Sequence, residues 1–499
     1  GTVLRRNVLK NGGKIIVCDP RRIGLVQDAA LWLRQRPGTD VALINGLLHV
    51  ILSEGLENRA FIDERTENFE ALRQAVQNYT PEKVEGITGV PADDIRAAAR
   101  MYAKAGSAAI FYAMGITQHT SGTDNVKSLA NLAMACGHMG RPGTGVNPLR
   151  GQNNVQGACD MGGLPNVYTG YQKVDDLAAN AKMAQAWGVD ALPNKPGQTL
   201  TEVMEGIHQH RIKALYVMGE NPVLSDPDAN HVERALRECH FLVVQDIFLT
   251  ETAALADVVL PSACWAEGDA TFVNTERRVQ KVRKAVDAPG LARPDWEILA
   301  DLSQRLGING KYRSAKQVFE EISAVTPSYG GINYRRLERG GLQWPCPDTR
   351  HPGTPILHAA GFARGKGLFA ALEHKEPAEL PDSGFPYTLT TGRILYQYHT
   401  GTMTRRSGGL DDLAPRCQVE INPADAAELG LEDGDTIRVK SRRGEIQAQA
   451  WVTPRVGAKV VFIPFHYGEA AVNKLTNKAL DPVAKIPEYK VCAVQVAKA

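Results

Sequence analysis

Short apolar runs that end in a polar turn recur along the first 300 residues. Each run is followed by glycine, an acid or proline, in one case after Met114, and this is typical of a buried strand in a parallel sheet. Amphipathic segments with helical spacing lie between the runs. The runs occupy residues 14–18, 108–113, 214–218, 241–245 and 258–260, and the predicted helices begin near 40, 91, 123, 229 and 295. This alternation predicts an α/β fold with doubly wound sheets.

The pattern changes after a turn-rich segment at about 326–380. Short strands separated by turn residues are predicted at 436–440, 444–452 and 459–463, with one helix at 423–429. Such a set is typical of a small β-barrel. We therefore predict three domains, namely an α/β domain at 1–151, a second α/β domain at 152–375 and a barrel at 380–499.

Composition excludes several classes of protein. The chain has 499 residues, 43% of them hydrophobic and 22% charged, which indicates a globular protein with a large core. A net charge of +2 without a cationic cluster argues against nucleic-acid binding. No apolar run of membrane-spanning length and no signal peptide is recognised, so we expect no membrane segment and a cytoplasmic location. The eight cysteines lack metal-site spacing, so no metal ligand is expected within this chain.

Residues 137–163 contain eight glycines and no amphipathic period, and a loop of this length is usually functional. Within it, Arg150 stands among the amides of Gln152, Asn153, Asn154 and Gln156. The planar fork of an arginine suits a carboxylate, which it can hold through two parallel hydrogen bonds. The alternative is a solvated polar loop in which Arg150 forms a salt bridge.

Two predicted strands end in similar glycine turns. Residues 112–115 read YAMG and residues 216–219 read YVMG. Such turns let backbone N–H groups approach phosphates, but they are also ordinary αβ connections. Asp19 and Asp246 each follow a predicted strand. There Asp19 would accept hydrogen bonds from ribose hydroxyls while Arg21 meets phosphate, and a surface ion pair is the alternative. Asp246 would accept hydrogen bonds from a guanine edge, and a helix cap is the alternative.

The segment 391–406 interleaves small, hydroxyl, cationic and aromatic residues, which fits a phosphate or pterin-like ligand. Taken alone, His399 is more typical of a structural histidine, and Asn473 and Lys490 receive no role from the pattern. No Ser-His-Asp order, phosphate-binding Walker loop or paired-carboxylate spacing is present. The chemistry is therefore expected to come from a cofactor.

Seven motifs together resemble the catalytic (alpha) subunit of molybdenum- or tungsten-dependent formate dehydrogenases, in the dimethyl sulfoxide reductase family. They are VCDPRR at 17–22, GVNPLRGQNNVQGACDMG at 145–162, VMGENP at 217–222, VVQDIF at 243–248, ADVVLP at 256–261, TTGRILYQYHTGTMTRR at 390–406 and PEYKVCAV at 487–494. The resemblance implies oxidation of formate to CO2, with the reverse reaction also open. It implies a bis-molybdopterin guanine dinucleotide carrying molybdenum or tungsten.

The resemblance also implies residue roles. Arg150 would orient formate, and Gln152 would lie against a pterin. The residues expected to hold the two dinucleotide arms are Asp19, Met114, Gly115, Ile116, Gly219, Glu220, Asn221 and Asp246. Those expected where the barrel closes over the pterins are Thr391, Gly392, Arg393, His399, Asn473 and Lys490.

This sequence departs from the family upstream of residues 14–22. There the family has a [4Fe-4S] site and a metal-binding Cys or selenocysteine followed by His, which we expect in a longer subunit or another polypeptide. The implied partners are iron–sulfur and flavin subunits that pass electrons to NAD. Another oxidoreductase of the same family, or a non-catalytic scaffold subunit, is the alternative.

Overall fold

The computed structural model describes residues 2–308 and 310–499 and contains two compact units. Unit 1 comprises residues up to Pro148, Pro227–Asn230 and His358–Ala499. Unit 2 comprises Leu149–Asp226 and His231–Leu357. Both units contain segments that are distant in sequence, and the division into three sequential domains stays a prediction.

The α/β part of unit 1 is built around one buried helix, Asp40–Ser53. Its apolar residues face in all directions, and other helices and strands cover it. Parallel strands pair as Ile16–Cys18 with Leu31–Leu33 and as Ala109–Tyr112 with Gly145–Pro148. The other α-helices of unit 1 outside the barrel are Thr2–Lys10, Arg59–Arg65, Phe69–Val76, Pro81–Thr88, Ala92–Ala103, Met114–Thr117, Gly122–Ala135 and Gly408–Asp411. The strands Thr66–Glu67 and Gly367–Leu368 of this unit pair with each other.

The predicted C-terminal barrel is confirmed. Its six strands close in the order Tyr387–Gly392, Val460–Pro464, Gln418–Ile421, Glu445–Val452, Thr436–Lys440 and Cys492–Lys498. In Thr436–Lys440 buried residues alternate with exposed ones, as expected for a strand with one face on a core. The helix Pro423–Glu428 follows Asn422, whose side chain caps it by accepting from the Ala424 amide.

Unit 2 contains a parallel sheet of Ala214–Met218, Phe241–Asp246 and Val258–Pro261. An antiparallel sheet is formed by Ala270–Val273, Arg278–Val282 and Leu342–Gln343. The helices of this part of the chain are Val155–Asp160, Leu177–Trp187, Leu200–His208, Pro222–Ser225, Ala229–Glu238, Asp295–Arg305, Ala315–Val325 and Tyr334–Leu337. The α/β prediction with a C-terminal barrel is thus confirmed.

The glycine-rich segment 137–163 is more ordered than its pattern predicts. It holds the strand Gly145–Pro148 and the helix Val155–Asp160. The strand forms because it pairs with Ala109–Tyr112, a contact that no local pattern reveals. In the part of the chain that the structure describes, no helix combines the length and apolarity needed to cross a bilayer.

Candidate active site

Arg150 is an exposed residue of unit 2, four residues before the helix Val155–Asp160 begins at its N-cap, Asn154. Its Nε donates to Oε1 of Gln156 over 3.0 Å. The two terminal nitrogens of the guanidinium, Nη1 and Nη2, form the end-on donor pair and can bind a second partner. Asn154 adopts a left-handed conformation with φ 59°, and its Oδ1 accepts from the Val273 amide over 2.9 Å. The loop is therefore anchored on the antiparallel sheet.

A buried carboxylate lies behind Gln156. Asp160 is fully buried and one of its oxygens accepts from Gln156 Nε2 over 2.8 Å. The Tyr171 hydroxyl donates to the same oxygen over 2.9 Å, and Tyr329 Oη and Trp344 Nε1 donate to the other over 2.6 and 2.7 Å. We call these five residues the Asp160 network. Burial and the Asp160 charge raise the pKa of both tyrosines, so their hydroxyls remain donors.

A cationic group occupies the end of the first barrel strand in unit 1. Lys490 is buried and its Nζ donates to the Thr391 carbonyl over 2.7 Å, while Thr391 Oγ1 donates to the Tyr489 carbonyl. Burial, together with the charge of Arg393, lowers the pKa of Lys490 to about 7. Burial also raises the pKa of Asp19, whose charge acts on Lys490, to about 6. Two close cations with one neighbouring carboxyl fit an anionic ligand.

Histidines surround Phe465 beside this group. The His399 ring lies 5.7 Å from the Phe465 ring, and the Arg393 guanidinium lies at the same distance from it. Nδ1 of His466 donates to the His399 carbonyl, and its Nε2 accepts from the Ile394 amide over 3.1 Å. Burial lowers the pKa of His399 and of His466 to about 4, so both rings are neutral near pH 7. They act as polar, uncharged walls.

Two predicted cofactor residues in unit 1 have well-defined partners in the protein. Arg21 donates from Nε and Nη2 to the buried Glu420 carboxylate over 2.6 and 2.5 Å. Its guanidinium stacks on Phe462 at 3.8 Å. Gly392 packs against the same ring, since a Cβ there would lie 2.6 Å from Phe462 Cε2. A cofactor role for either residue stays a prediction.

The other predicted residues of unit 1 lie in two places. Met114, Gly115 and Ile116 form the short helix Met114–Thr117 after the strand Ala109–Tyr112. The Gly115 carbonyl lies 2.9 Å from His119 Nε2, and the Ile116 carbonyl accepts from Asn125 over 2.8 Å. Asn473 is buried in a 3-10 turn after the strand Val460–Pro464.

The strand ends of unit 2 bring together four predicted residues. Gly219 has φ 64°, a left-handed conformation that favours glycine, and its amide donates to the Gln245 carbonyl. Asp246 Oδ1 accepts from the Ile247 amide over 2.7 Å. Desolvation, then the Asp246 charge, raises the pKa of Glu220, although this residue keeps an exposed surface. Asn221 is buried and bonded to Glu251 and Thr252.

Within unit 1 the structure thus groups Asp19, Thr391, Arg393, His399 and Lys490. Within unit 2 it groups Gly219, Glu220, Asn221 and Asp246, and places Arg150 on Gln156, while Gln152 is half-buried at the start of the same loop. Sequence reasoning missed the Asp160 network, Glu420, Phe465 and His466. The spacing of Gln156 and Asp160, four residues apart on one helix, was the available signal for the network.

No cluster of three or more His, Cys, Asp or Glu side chains placed to bind a metal occurs within 2–308 and 310–499. The family is identified by comparison with known proteins. Residues 1–305 match the molybdopterin oxidoreductase family, and residues 387–493 match the molydopterin dinucleotide binding domain. The chain belongs to the molybdopterin oxidoreductase family. The resemblance to the dimethyl sulfoxide reductase family is thereby confirmed, and the family's cofactor is a molybdopterin dinucleotide.

Two of the chain's relatives are named formate dehydrogenases, and one solved structure has the same fold. The chain is 53% identical to the F420-dependent formate dehydrogenase subunit alpha of Methanocaldococcus jannaschii, over 97% of this chain and 72% of the relative. It is 41% identical to formate dehydrogenase H of Escherichia coli, over 98% of this chain and 69% of the relative. Acetylene hydratase from Pelobacter acetylenicus shares the fold, with a TM-score of 0.78 at 20% identity over 99% of this chain and 75% of that protein.

The unit 1 group fits the family's cofactor. A buried lysine whose pKa is lowered to about 7, next to Arg393, is stabilised in its charged form when an anion binds. The phosphates of a molybdopterin dinucleotide supply such an anion.

Proposed function

We propose that this chain supplies substrate-binding and cofactor-binding residues to a formate dehydrogenase catalytic subunit. Relatives at 50–53% identity carry that name across nearly the whole length of this chain. The structural observation behind the proposal is Arg150, which is exposed, anchored through Nε and left with its end-on donor pair.

Formate offers a single handle, its carboxylate. The Nη1 and Nη2 groups of Arg150 bind the two formate oxygens in a bidentate manner and so fix the direction of the C–H bond. Holding Nε on Gln156 restricts rotation of the guanidinium plane, which lowers the entropic cost of orienting the substrate.

Each unit supplies its own group of proposed cofactor-binding residues. Lys490 and Arg393 bind phosphate or pterin oxygens in unit 1, with Thr391, Asp19 and neutral His399 around them. In unit 2, the carboxylates of Glu220 and Asp246 accept hydrogen bonds from guanine or ribose. When bound, the molybdenum or tungsten centre supplies a two-electron acceptor for formate oxidation. The family resemblance further implies a [4Fe-4S] cluster and a Cys or selenocysteine ligand to the metal.

The test replaces Arg150 with Lys in the full-length holoenzyme. We expect kcat/KM for formate, measured with an artificial electron acceptor, to fall by about 100-fold or more, because an ammonium cannot reproduce the bidentate fork. Arg211→Lys is the matched control. Arg211 is also exposed and also donates from Nε to a glutamine, Gln209, over 2.9 Å.

Wild-type kcat/KM for formate in Arg150→Lys would overturn the assigned role of Arg150. Wild-type holoenzyme that reduces nitrate or an S-oxide but leaves formate unchanged would favour another oxidoreductase of the family. Full-length protein that contains no metal, from cells that make the cofactor, would favour the scaffold alternative.

We also propose that electrons leave through iron–sulfur and flavin partner subunits; the relatives named as alpha subunits support a multisubunit complex. Those relatives are named F420-dependent, whereas the resemblance in sequence pattern led us to NAD. Formate-dependent reduction of F420 against that of NAD, by the purified native complex, decides between the two acceptors.

A further inference from the structure

The Asp160 network lies behind the proposed substrate arginine, and no family motif assigns it a role. We infer that Asp160 and Gln156 are positioning residues that hold the guanidinium of Arg150 in the orientation that binds substrate. The inference rests on the proposed function, because it concerns how Arg150 acts on formate.

The direction of each hydrogen bond follows from the chemistry of Asp160. An ionised carboxylate only accepts, so Gln156 must present its NH2 group to Asp160. Its Oε1 atom is then turned to Arg150, where it accepts from Nε over 3.0 Å. The Tyr171 hydroxyl lies 2.9 Å from Gln156 Nε2 and donates to Asp160, which restricts the amide further. The orientation of the amide is therefore determined by a buried charge.

The network is rigid on its far side. Tyr329, itself 1% exposed, and Trp344 both donate to the second Asp160 oxygen; Tyr329 belongs to the core of unit 2, and the half-buried Trp344 packs against that core. Asp160 is paired with neutral donors and has no ion-pair partner within hydrogen-bond distance among the described residues. Four donors compensate the cost of burying this carboxylate, so its position is fixed by the core rather than by the loop.

The chain contains a matched arrangement without this support. Gln209 accepts from Arg211 Nε over 2.9 Å and donates to Glu205 over 2.6 Å, but all three residues lie on the surface. Both Gln156→Met and Gln209→Met remove a hydrogen bond that a glutamine accepts from an arginine Nε and one that it donates to a carboxylate; Gln156→Met also removes the contact with the Tyr171 hydroxyl. Only the first removes an arginine support that reaches into the core.

The test is a double-mutant cycle in the full-length holoenzyme. For Gln156→Met we expect kcat/KM for formate to fall by about 10- to 100-fold, with KM raised and kcat lowered together, because Arg150 loses its alignment. In the Arg150→Lys background the same substitution should change kcat/KM by less than about 2-fold, because no aligned guanidinium remains. Gln209→Met should leave both constants unchanged.

Thermal unfolding and a milder variant complete the experiment. Tyr171→Phe, which removes one donor from Asp160, should reduce kcat/KM by about 3- to 10-fold and only when Arg150 is present. If Gln156→Met lowers kcat/KM equally in both backgrounds, the inference is overturned and the proposed function stands. The same conclusion follows if Gln156→Met and Tyr171→Phe keep wild-type kcat/KM while Arg150→Lys lowers it. A silent Arg150→Lys would overturn both the inference and the assigned role of Arg150. Unfolding temperatures separate these outcomes from a general loss of stability.

Discussion

At the scale of single residues, Arg21 was expected to bind a phosphate, and in the structure it forms an ion pair with a carboxylate of the protein. It forms a bidentate pair with Glu420, which is 1% exposed, and Arg455 contributes a second cation 3.2 Å from the same carboxylate. In cofactor-free protein we expect Arg21→Met to lower the free energy of unfolding by about 2–4 kcal/mol, because it leaves a buried charge with one weaker partner. Urea unfolding measures the change.

The neighbouring Arg22 is exposed, so Arg22→Met is the control for this substitution. Adding Glu420→Leu to Arg21→Met should recover part of the loss, because the unpaired charge is removed. Unchanged stability in Arg21→Met would show instead that the arginine is reserved for a ligand.

Lys490 predicts a pH dependence of stability in cofactor-free protein. Burial lowers its folded pKa to about 7, against 10.5 for a free lysine, so between these values the unfolded chain binds more protons. The contribution of Lys490 to the free energy of unfolding, taken as the difference between wild type and Lys490→Met, should therefore rise with pH from about 7 towards 10, by at most about 1.4 kcal/mol per pH unit. Lys490→Met should lack this contribution, and Lys478→Met, at an exposed lysine, should retain it.

Denaturant titrations of the three proteins across pH 7–10 provide the measurement. Asp19 does not interfere, since its pKa of about 6 places its own titration below this range. An identical slope in wild-type protein and Lys490→Met would contradict the assigned burial of the ammonium.

At the scale of elements, the end of the first barrel strand depends on a close approach. A Cβ at Gly392 would lie 2.6 Å from the Phe462 ring, which is 5% exposed and carries Arg21 on its face. We expect Gly392→Ala to destabilise the protein by about 1–3 kcal/mol through overpacking. Differential scanning calorimetry should show the lowered unfolding temperature.

Gly409→Ala provides the comparison, because a Cβ at that glycine has no atom within 4 Å. Phe462→Leu combined with Gly392→Ala should regain part of the lost stability by making space. If Gly392→Ala proves as stable as wild type, the strand end has more room than the packing indicates.

At the scale of the whole molecule, the two groups of residues at strand ends predict how much metal and how much GMP the protein contains. If the group in unit 1 and the group in unit 2 each hold one arm of the cofactor, natively purified full-length protein should contain about one molybdenum or tungsten atom and two GMP per catalytic subunit. Elemental analysis and acid hydrolysis measure both. A single GMP would leave one of the groups without its proposed ligand, and a metal-free protein without GMP would contradict both assignments.

The sequence by itself determined the elements whose information is local. Uninterrupted apolar runs defined strands such as Ala214–Met218, alternation and turns defined the barrel strand Thr436–Lys440, and the RGQNNVQGACDMG motif carried the family resemblance. These features follow from side-chain periodicity and from short-range order, which one chain displays directly.

Only the tertiary structure decided which polar groups meet. Asp160 receives donors from Tyr329 and Trp344, more than 160 residues away, and Arg21 finds Glu420 399 residues along the chain. A buried charge selects partners by distance and geometry in the folded state, and neither quantity is encoded in the spacing of residues. The strand Gly145–Pro148 was missed for the same reason, because its pairing with Ala109–Tyr112, rather than its own composition, makes it a strand.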